Sequence, residues 1–198
     1  TVANTNDAPT ISSTAVTAVD EDSAYSYTVT TADDDTDSGD SVSLTGTTVP
    51  SWMAFDTSTG ALTGTPADAQ VGTHSVVITA SDGEASVTDS FTITVANTND
   101  APTISSTAVT AATEDASYSY SITTSDDDSD SSDGWAITST SVSWLTLTDA
   151  SDGTATLAGT PADAQVGTQS VTITVTDTAG ATDTQTFTIT VANTNDAP

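Results

Sequence analysis

An eight-residue phrase, Val-Ala-Asn-Thr-Asn-Asp-Ala-Pro, is written three times in this chain, at residues 2–9, 95–102 and 191–198. The copies lie 93 and 96 residues apart, which is the size of one small β-domain. The intervening sequence repeats too: APTISSTAVTA follows the first two copies, GTPADAQVGT occurs once per unit, and FTITVANTND closes each unit. Self-similarity at this period indicates tandem modules joined by linkers. The expected domains are therefore 1–98 and 99–198, the second ending in a linker to a further repeat. The chain reads as a monomeric fragment of a longer array.

Helix signals are scarce within a unit. Ser and Thr dominate, and Gly, Pro, Asp and Asn punctuate the chain at short intervals between alternating apolar runs. In the first unit the runs predict strands at 10–17, 24–31, 41–46, 52–55, 61–63, 73–80 and 86–95, the last two flanking a tight hairpin at Asp82-Gly83. The second unit offers 103–110, 117–124, 135–139, 144–147, 155–157, 170–176 and 184–191. Seven strands per unit predict an all-β fold: two tandem seven-stranded immunoglobulin-like Greek-key sandwiches. Tyr25, Tyr27, Trp52 and Phe91 match Tyr118, Tyr120, Trp144 and Phe187 in the other unit, as core aromatics would. Trp135 has no counterpart and is the candidate for an exposed, sugar-stacking ring.

The charge balance excludes whole classes of function. There are 28 acidic residues, no Lys, no Arg and one His. Such a surface repels nucleic acid and anionic lipid. It also denies the chain any internal Lys or Arg salt bridge and any Lys–Asn isopeptide crosslink. With no Cys there is neither a disulfide nor a thiolate metal site. No apolar stretch reaches the length of a membrane span, and no signal peptide is recognisable, so targeting is expected to lie elsewhere in a parent protein. Catalysis is poorly supplied: His74 becomes Gln169 in the other unit and reads as an exposed strand residue, and no carboxylate pair is marked out as buried. The chain is not expected to be an enzyme.

Two acidic clusters recur in register. One is Asp33 to Asp40, including Asp35, echoed by Asp126, Asp128 and Asp130 in the second unit. The other is the linker phrase, with Asn6 and Asp7 in its first copy and Asn97, Thr98, Asn99 and Asp100 in its second. A sandwich topology places the linker at the same end as the acidic loop and the tip of the last hairpin, which carries Asp82 in one unit and Asp177 in the other. Several oxygens converging without a basic side chain repel one another unless a cation sits among them. Ca²⁺, taking six to eight oxygens in flexible geometry, matches this supply. The acidic loop is not an EF-hand, because Ser38 and Leu44 occupy the required Gly and Glu positions. A plainer alternative is that the acidity only keeps a secreted protein soluble in salt.

The stretch Pro50-Ser-Trp-Met-Ala-Phe-Asp-Thr-Ser-Thr-Gly60-Ala-Leu-Thr-Gly-Thr-Pro66, with Val76-Val-Ile-Thr-Ala-Ser-Asp-Gly83 and Phe91 to Pro102, resembles the dystroglycan-type cadherin-like module of large bacterial secreted or surface proteins. That resemblance covers essentially the whole chain, twice, and implies calcium at each domain junction. It implies ligand roles for Glu21 with Asp22, for Asp68 and Gln70 at the Asp-x-Glu position, and for Asn97, Thr98, Asn99 and Asp100 in the linker. Asp126 and Asp128 fall at the Asp-x-Asp position and Asp177 at the late aspartate. Gln70 and Asn97 depart from the acidic pattern and the family's extra linker asparagine is missing, which implies fewer ions or weaker binding. The middle linker copy is expected to be the best-ordered site and the outer copies partly or wholly empty. The resemblance implies calcium-rigidified extender repeats of an adhesin; the alternative is a calcium-dependent module binding polysaccharide or another cadherin-like module.

Overall fold

A computed structural model describes residues 5–34, 41–128, 136–139 and 142–195. The chain divides into two compact units, Thr1–Thr98 and Asn99–Pro198. Among the described residues each is all-β apart from a short 3₁₀ turn, Asp68–Gln70 in the first and Asp163–Gln165 in the second.

The first unit contains β1 (Thr10–Ile11), β2 (Ala18–Asp20), β3 (Tyr25–Thr28), β4 (Thr31–Ala32), β5 (Ser43–Thr48), β6 (Met53–Asp56), β7 (Ala61–Gly64), β8 (Gly72–Ser81) and β9 (Ser86–Ala96). One sheet has the order β2-β9-β8-β5; facing it are β3-β7-β6 and the short pair β1-β4. The second unit repeats this plan with β10 (Thr103–Ile104), β11 (Ala111–Thr113), β12 (Tyr118–Ser125), β13 (Ala136–Ser139), β14 (Leu145–Asp149), β15 (Thr154–Gly159), β16 (Gly167–Thr176) and β17 (Thr182–Ala192). Its sheets run β11-β17-β16-β13 and β10-β12-β15-β14.

The strands expected at 10–17 and 103–110 are each divided. Their first residues pair antiparallel in one sheet, Thr10 with Ala32 and Thr103 with Ser125. The chain then crosses over, and Ala18 pairs parallel with Thr94, Ala111 with Thr190. Nothing in the sequence marks the switch, because residues 10–20 and 103–113 contain no Gly, Pro or Asn to punctuate it. The tight hairpin expected at Asp82-Gly83 is a four-residue loop, since Ser81 pairs with Ser86.

Alternation sets the core. Val76, Ile78 and Ala80 on β8 are buried, as are Ile93 and Val95 on β9, and Val76, Ile78 and Ile93 pack in one cluster with Tyr25, Tyr27, Val29 and Leu62. Val171, Ile173, Val175, Ile189, Val191, Tyr118, Tyr120 and Leu157 repeat the arrangement. Period-two parity also places His74, which shares the inward side of β8 with Val76 and is half-buried rather than exposed. Its Nε2 donates to the Gln70 carbonyl at 2.6 Å, and its ring lies edge-on to Trp52. Gln169 repeats the bond, its Nε2 donating to the Gln165 carbonyl at 3.2 Å.

Tyr25 and Tyr118 each donate a hydroxyl hydrogen bond to the segment that crosses between the sheets, at Val16 O and Val109 O. Trp52 packs edge-on against Tyr25, and Trp144 against Tyr118. The glycine of each Gly-Thr-Pro motif makes room for this tryptophan segment: a Cβ on Gly64 would sit 2.5 Å from the Trp52 carbonyl oxygen. Gly64→Ala is therefore expected to destabilise the first unit by about 1–3 kcal/mol through overpacking, measured by denaturant unfolding.

Burial, followed by the neighbouring Tyr27 or Tyr120 phenol, pushes the Tyr25 and Tyr118 phenols up to about 12 from 10.0. A raised folded value means that their contribution to stability is complete below pH 10 and disappears as pH rises through about 12. Tyrosinate absorbance should show these two phenols ionising together with unfolding at the alkaline end.

Candidate metal centre

Acidic side chains gather where the strands of each unit end, and the backbone explains how. In the first unit β2 runs parallel to β9, so the residue after β2 emerges beside the chain leaving β9. Glu21 N donates to Ala96 O at 2.9 Å. The Glu21 carboxylate, only 1% exposed, then takes the next free amide: Thr98 N donates to Glu21 Oε1 at 2.7 Å. Asp22 sits at φ 56, a left-handed conformation that Asp tolerates, and its N donates to Pro66 O at 2.7 Å. Its side chain is exposed. That bond brings the Glu21–Asp22 turn alongside the segment carrying Asp68 and Gln70.

Two oxygens in this region test the fit to a cation. Glu21 Oε2 and Asp68 Oδ1 are buried and have no hydrogen-bond donor. A buried carboxylate oxygen costs free energy unless it is paired, and the chain has no Lys or Arg to pair it. A hard cation accepting oxygen ligands suits both atoms. The Gln70 carboxamide is engaged elsewhere, because its Oε1 accepts from Ala67 N at 3.0 Å and caps the 3₁₀ turn. Among the described residues, no group of three or more His, Cys, Asp or Glu side chains could hold a metal ion.

In the second unit the linker meets the acidic loop and the last hairpin. Asp100 N donates to Asp128 Oδ2 at 2.7 Å, and Asp128 N donates to Asp126 Oδ1 at 3.2 Å. Asn99 Nδ2 donates to Asp177 Oδ2 at 2.9 Å and to Asp100 O at 2.7 Å. Asp100, Asp126 and Asp127, with Ala101, Thr103 and Ser125, line a polar recess of about 260 Å³. Asp177, 5% exposed, spans its own hairpin by accepting from Ala181 N at 2.8 Å. The first unit shows the same pattern, with Asn6 Nδ2 donating to Asp82 Oδ2 at 3.2 Å and Asp82 Oδ1 accepting from Glu84 N and Ala85 N. Asn97 and Asp7 are exposed and Asp33 is half-buried. Asp35, Asp130 and Trp135 lie outside the described residues.

Sequence reasoning passed over Glu114. It is 2% exposed, and its Oε1 accepts from Thr194 N, as Glu21 accepts from Thr98 N. The signal was present in the repeat register, because Glu21 and Glu114 each stand four residues before the tyrosine that opens a strand, Tyr25 or Tyr118.

Hydrogen bonds shape the electrostatics. The Asn99 carboxamide, followed by the Ala181 amide, holds the Asp177 carboxyl below its ordinary value. The Ala85 and Glu84 amides do the same for Asp82, with Asn6 adding to them. Depressed carboxyl values contribute stability above the unfolded value of 3.8, and that contribution is lost as pH falls through the folded values. Asn99→Ala should raise the Asp177 value toward 3.8 while leaving Asp82 unchanged, as followed by carboxyl carbon resonances across an acid titration.

Residues 8–96 and 101–192 each match the family described as "Putative Ig domain". Among curated proteins none matches the sequence. Similar folds occur in the protocadherin gamma B2 extracellular cadherin domains 1–5, at 20% identity and TM-score 0.61, covering 95% of this chain and 40% of that one. The protocadherin gamma B4 extracellular domain is similar at 20% identity and TM-score 0.60, over 99% of this chain and 34% of that one. This chain thus spans less than half the length of either. An endo-fucoidan hydrolase of glycoside hydrolase family 107 aligns at 25% identity with a TM-score of only 0.43, over 95% of this chain and 29% of that one.

Proposed function

We propose, from a chain that belongs to the family described as "Putative Ig domain" and carries its module twice, a structural role outside the cell. In this reading the units are calcium-rigidified extender repeats of a bacterial surface adhesin, projecting a distal ligand-binding domain. They carry no catalytic function, and their partners are neighbouring repeats of the same protein. No helix among the described residues is long and apolar enough to cross a membrane.

The observation that supports calcium is the pair of buried oxygens, Glu21 Oε2 and Asp68 Oδ1, without a donor in a chain that has no basic side chain but His74. The carboxylates at Asp100, Asp126, Asp128 and Asp177 extend the supply of hard oxygen ligands. The low aromatic content and the Ser- and Thr-covered strands suit an extender better than a ligand-gripping module. Extracellular sites of this type bind at about 10⁻⁴–10⁻³ M. At about 100 times the dissociation constant a single independent site adds roughly 2.7 kcal/mol to stability.

A calcium titration followed by calorimetry and thermal melting tests this directly. Binding heat and a rising melting temperature are expected, at constant ionic strength so that screening is held fixed. Glu21→Gln with Asp68→Asn should remove much of the rise. Small-angle scattering should show a narrower range of conformations with calcium than with EDTA. No heat and identical melting curves in calcium and sodium would leave only the solubility reading.

A further inference from the structure

We infer that each unit holds its own linker residues with carboxylate–amide latches that close without any cation. The latch on the departing linker is a glutamate at the end of the parallel strand: Glu21 holds Thr98 N at 2.7 Å in the first unit, and Glu114 holds Thr194 N in the second. Both glutamates are anchored through their own backbone, Glu21 N to Ala96 O at 2.9 Å and Glu114 N to Ala192 O at 3.0 Å. Thr194 adds a second bond, from its hydroxyl to Glu114 O at 3.3 Å. The latch on the arriving linker uses aspartates. Asp128 holds Asp100 N at 2.7 Å and Asp177 holds the Asn99 carboxamide at 2.9 Å. In the first unit Asp82 holds the Asn6 carboxamide at 3.2 Å.

These bonds fall where regular structure gives the backbone nothing. Strand β9 ends at Ala96 and β10 begins at Thr103, so Thr98, Asn99 and Asp100 belong to no strand. Hydrogen bonds from N–H groups to ionised carboxylates are short and roughly twice as strong as neutral ones. The clustered carboxylates therefore do not simply repel one another and let the linker go slack when no cation is present. Linker amides and carboxamides supply the positive ends of dipoles that a Lys-free, Arg-free chain otherwise lacks.

One consequence rests on the calcium reading above. Asp128 Oδ2 and Asp177 Oδ2 already accept linker donors. A cation drawing on those oxygens must displace or share with the donors. Binding then exchanges one ordered arrangement for another, and the lost bonds weaken the apparent affinity.

Amide hydrogen exchange of the intact two-unit chain, measured by NMR in EDTA without added divalent ions, tests the latch by itself. Thr98, Asp100 and Thr194 amides should exchange at least about tenfold more slowly than in an unstructured peptide. Glu21→Ala should release Thr98 and Asp128→Ala should release Asp100, with the strand amides of Val76, Ile93 and Val171 serving as the check on folding. Glu21→Gln, which keeps an acceptor oxygen, should retain most of the Thr98 protection. Wild-type linker amides exchanging at unstructured rates would overturn the inference, and so would protection that survives both alanine variants in folded protein. Adding calcium then separates the two claims. A changed Asp100 rate supports the exchange of partners. Protection in EDTA with no response to calcium, read beside a flat calorimetric titration, keeps the latch and removes the calcium reading.

Discussion

A carboxylate that leaves solvent needs either a donor or a cation, and this chain contains neither lysine nor arginine to provide one. The rest of the structure is arranged around that restriction. Several carboxylates that are withdrawn from water find backbone N–H groups or an asparagine carboxamide: Glu21 takes Thr98 N, Asp177 takes Ala181 N and the Asn99 side chain, and Asp183 takes Ile104 N at 2.9 Å. Such donors are plentiful where strands end and along edge strands such as β10, because between two neighbouring strands an N–H is already committed to the sheet. Acidic residues accordingly gather at strand ends and hairpin tips. The strand faces between them are left to apolar residues on one side and to Thr and Ser on the other.

The two units serve as a comparison within one molecule. His74 and Gln169 differ in size and ring character, yet each sends a nitrogen to the carbonyl four residues earlier. What the position requires is a donor reaching the 3₁₀ turn, which either side chain satisfies. The pair Glu21 and Glu114 shows the opposite behaviour: the residue type, its burial and its backbone partner are all retained. Differences elsewhere are absorbed locally. Gln185 bridges the Tyr120 hydroxyl and the Ser106 carbonyl, while the register-equivalent residue of the first unit is Asp89; the serine–tyrosine hydroxyl contact is kept in both units, Ser13 with Tyr27 and Ser106 with Tyr120.

The number of units, their all-β character and most strands of the sandwich were legible in the chain alone, because repeat period and two-residue alternation are properties of residues taken in order. The acidic loop, the hairpin aspartates and the linker recur in register, and that recurrence made them candidate ligands. Other features exist only once the chain is folded. The crossing of the first strand from one sheet to the other is unmarked in the sequence, because residues 10–20 and 103–113 carry no Gly, Pro or Asn. Parity along β8, not the polarity of its neighbours, put His74 on the inward side. Which carboxylate oxygens meet an amide, and which, like Glu21 Oε2 and Asp68 Oδ1, are buried without a donor, depends on strands distant in sequence ending side by side. No local pattern encodes that meeting, so the repeated linker phrase could announce a site, while only the fold could say which atoms in it were already engaged.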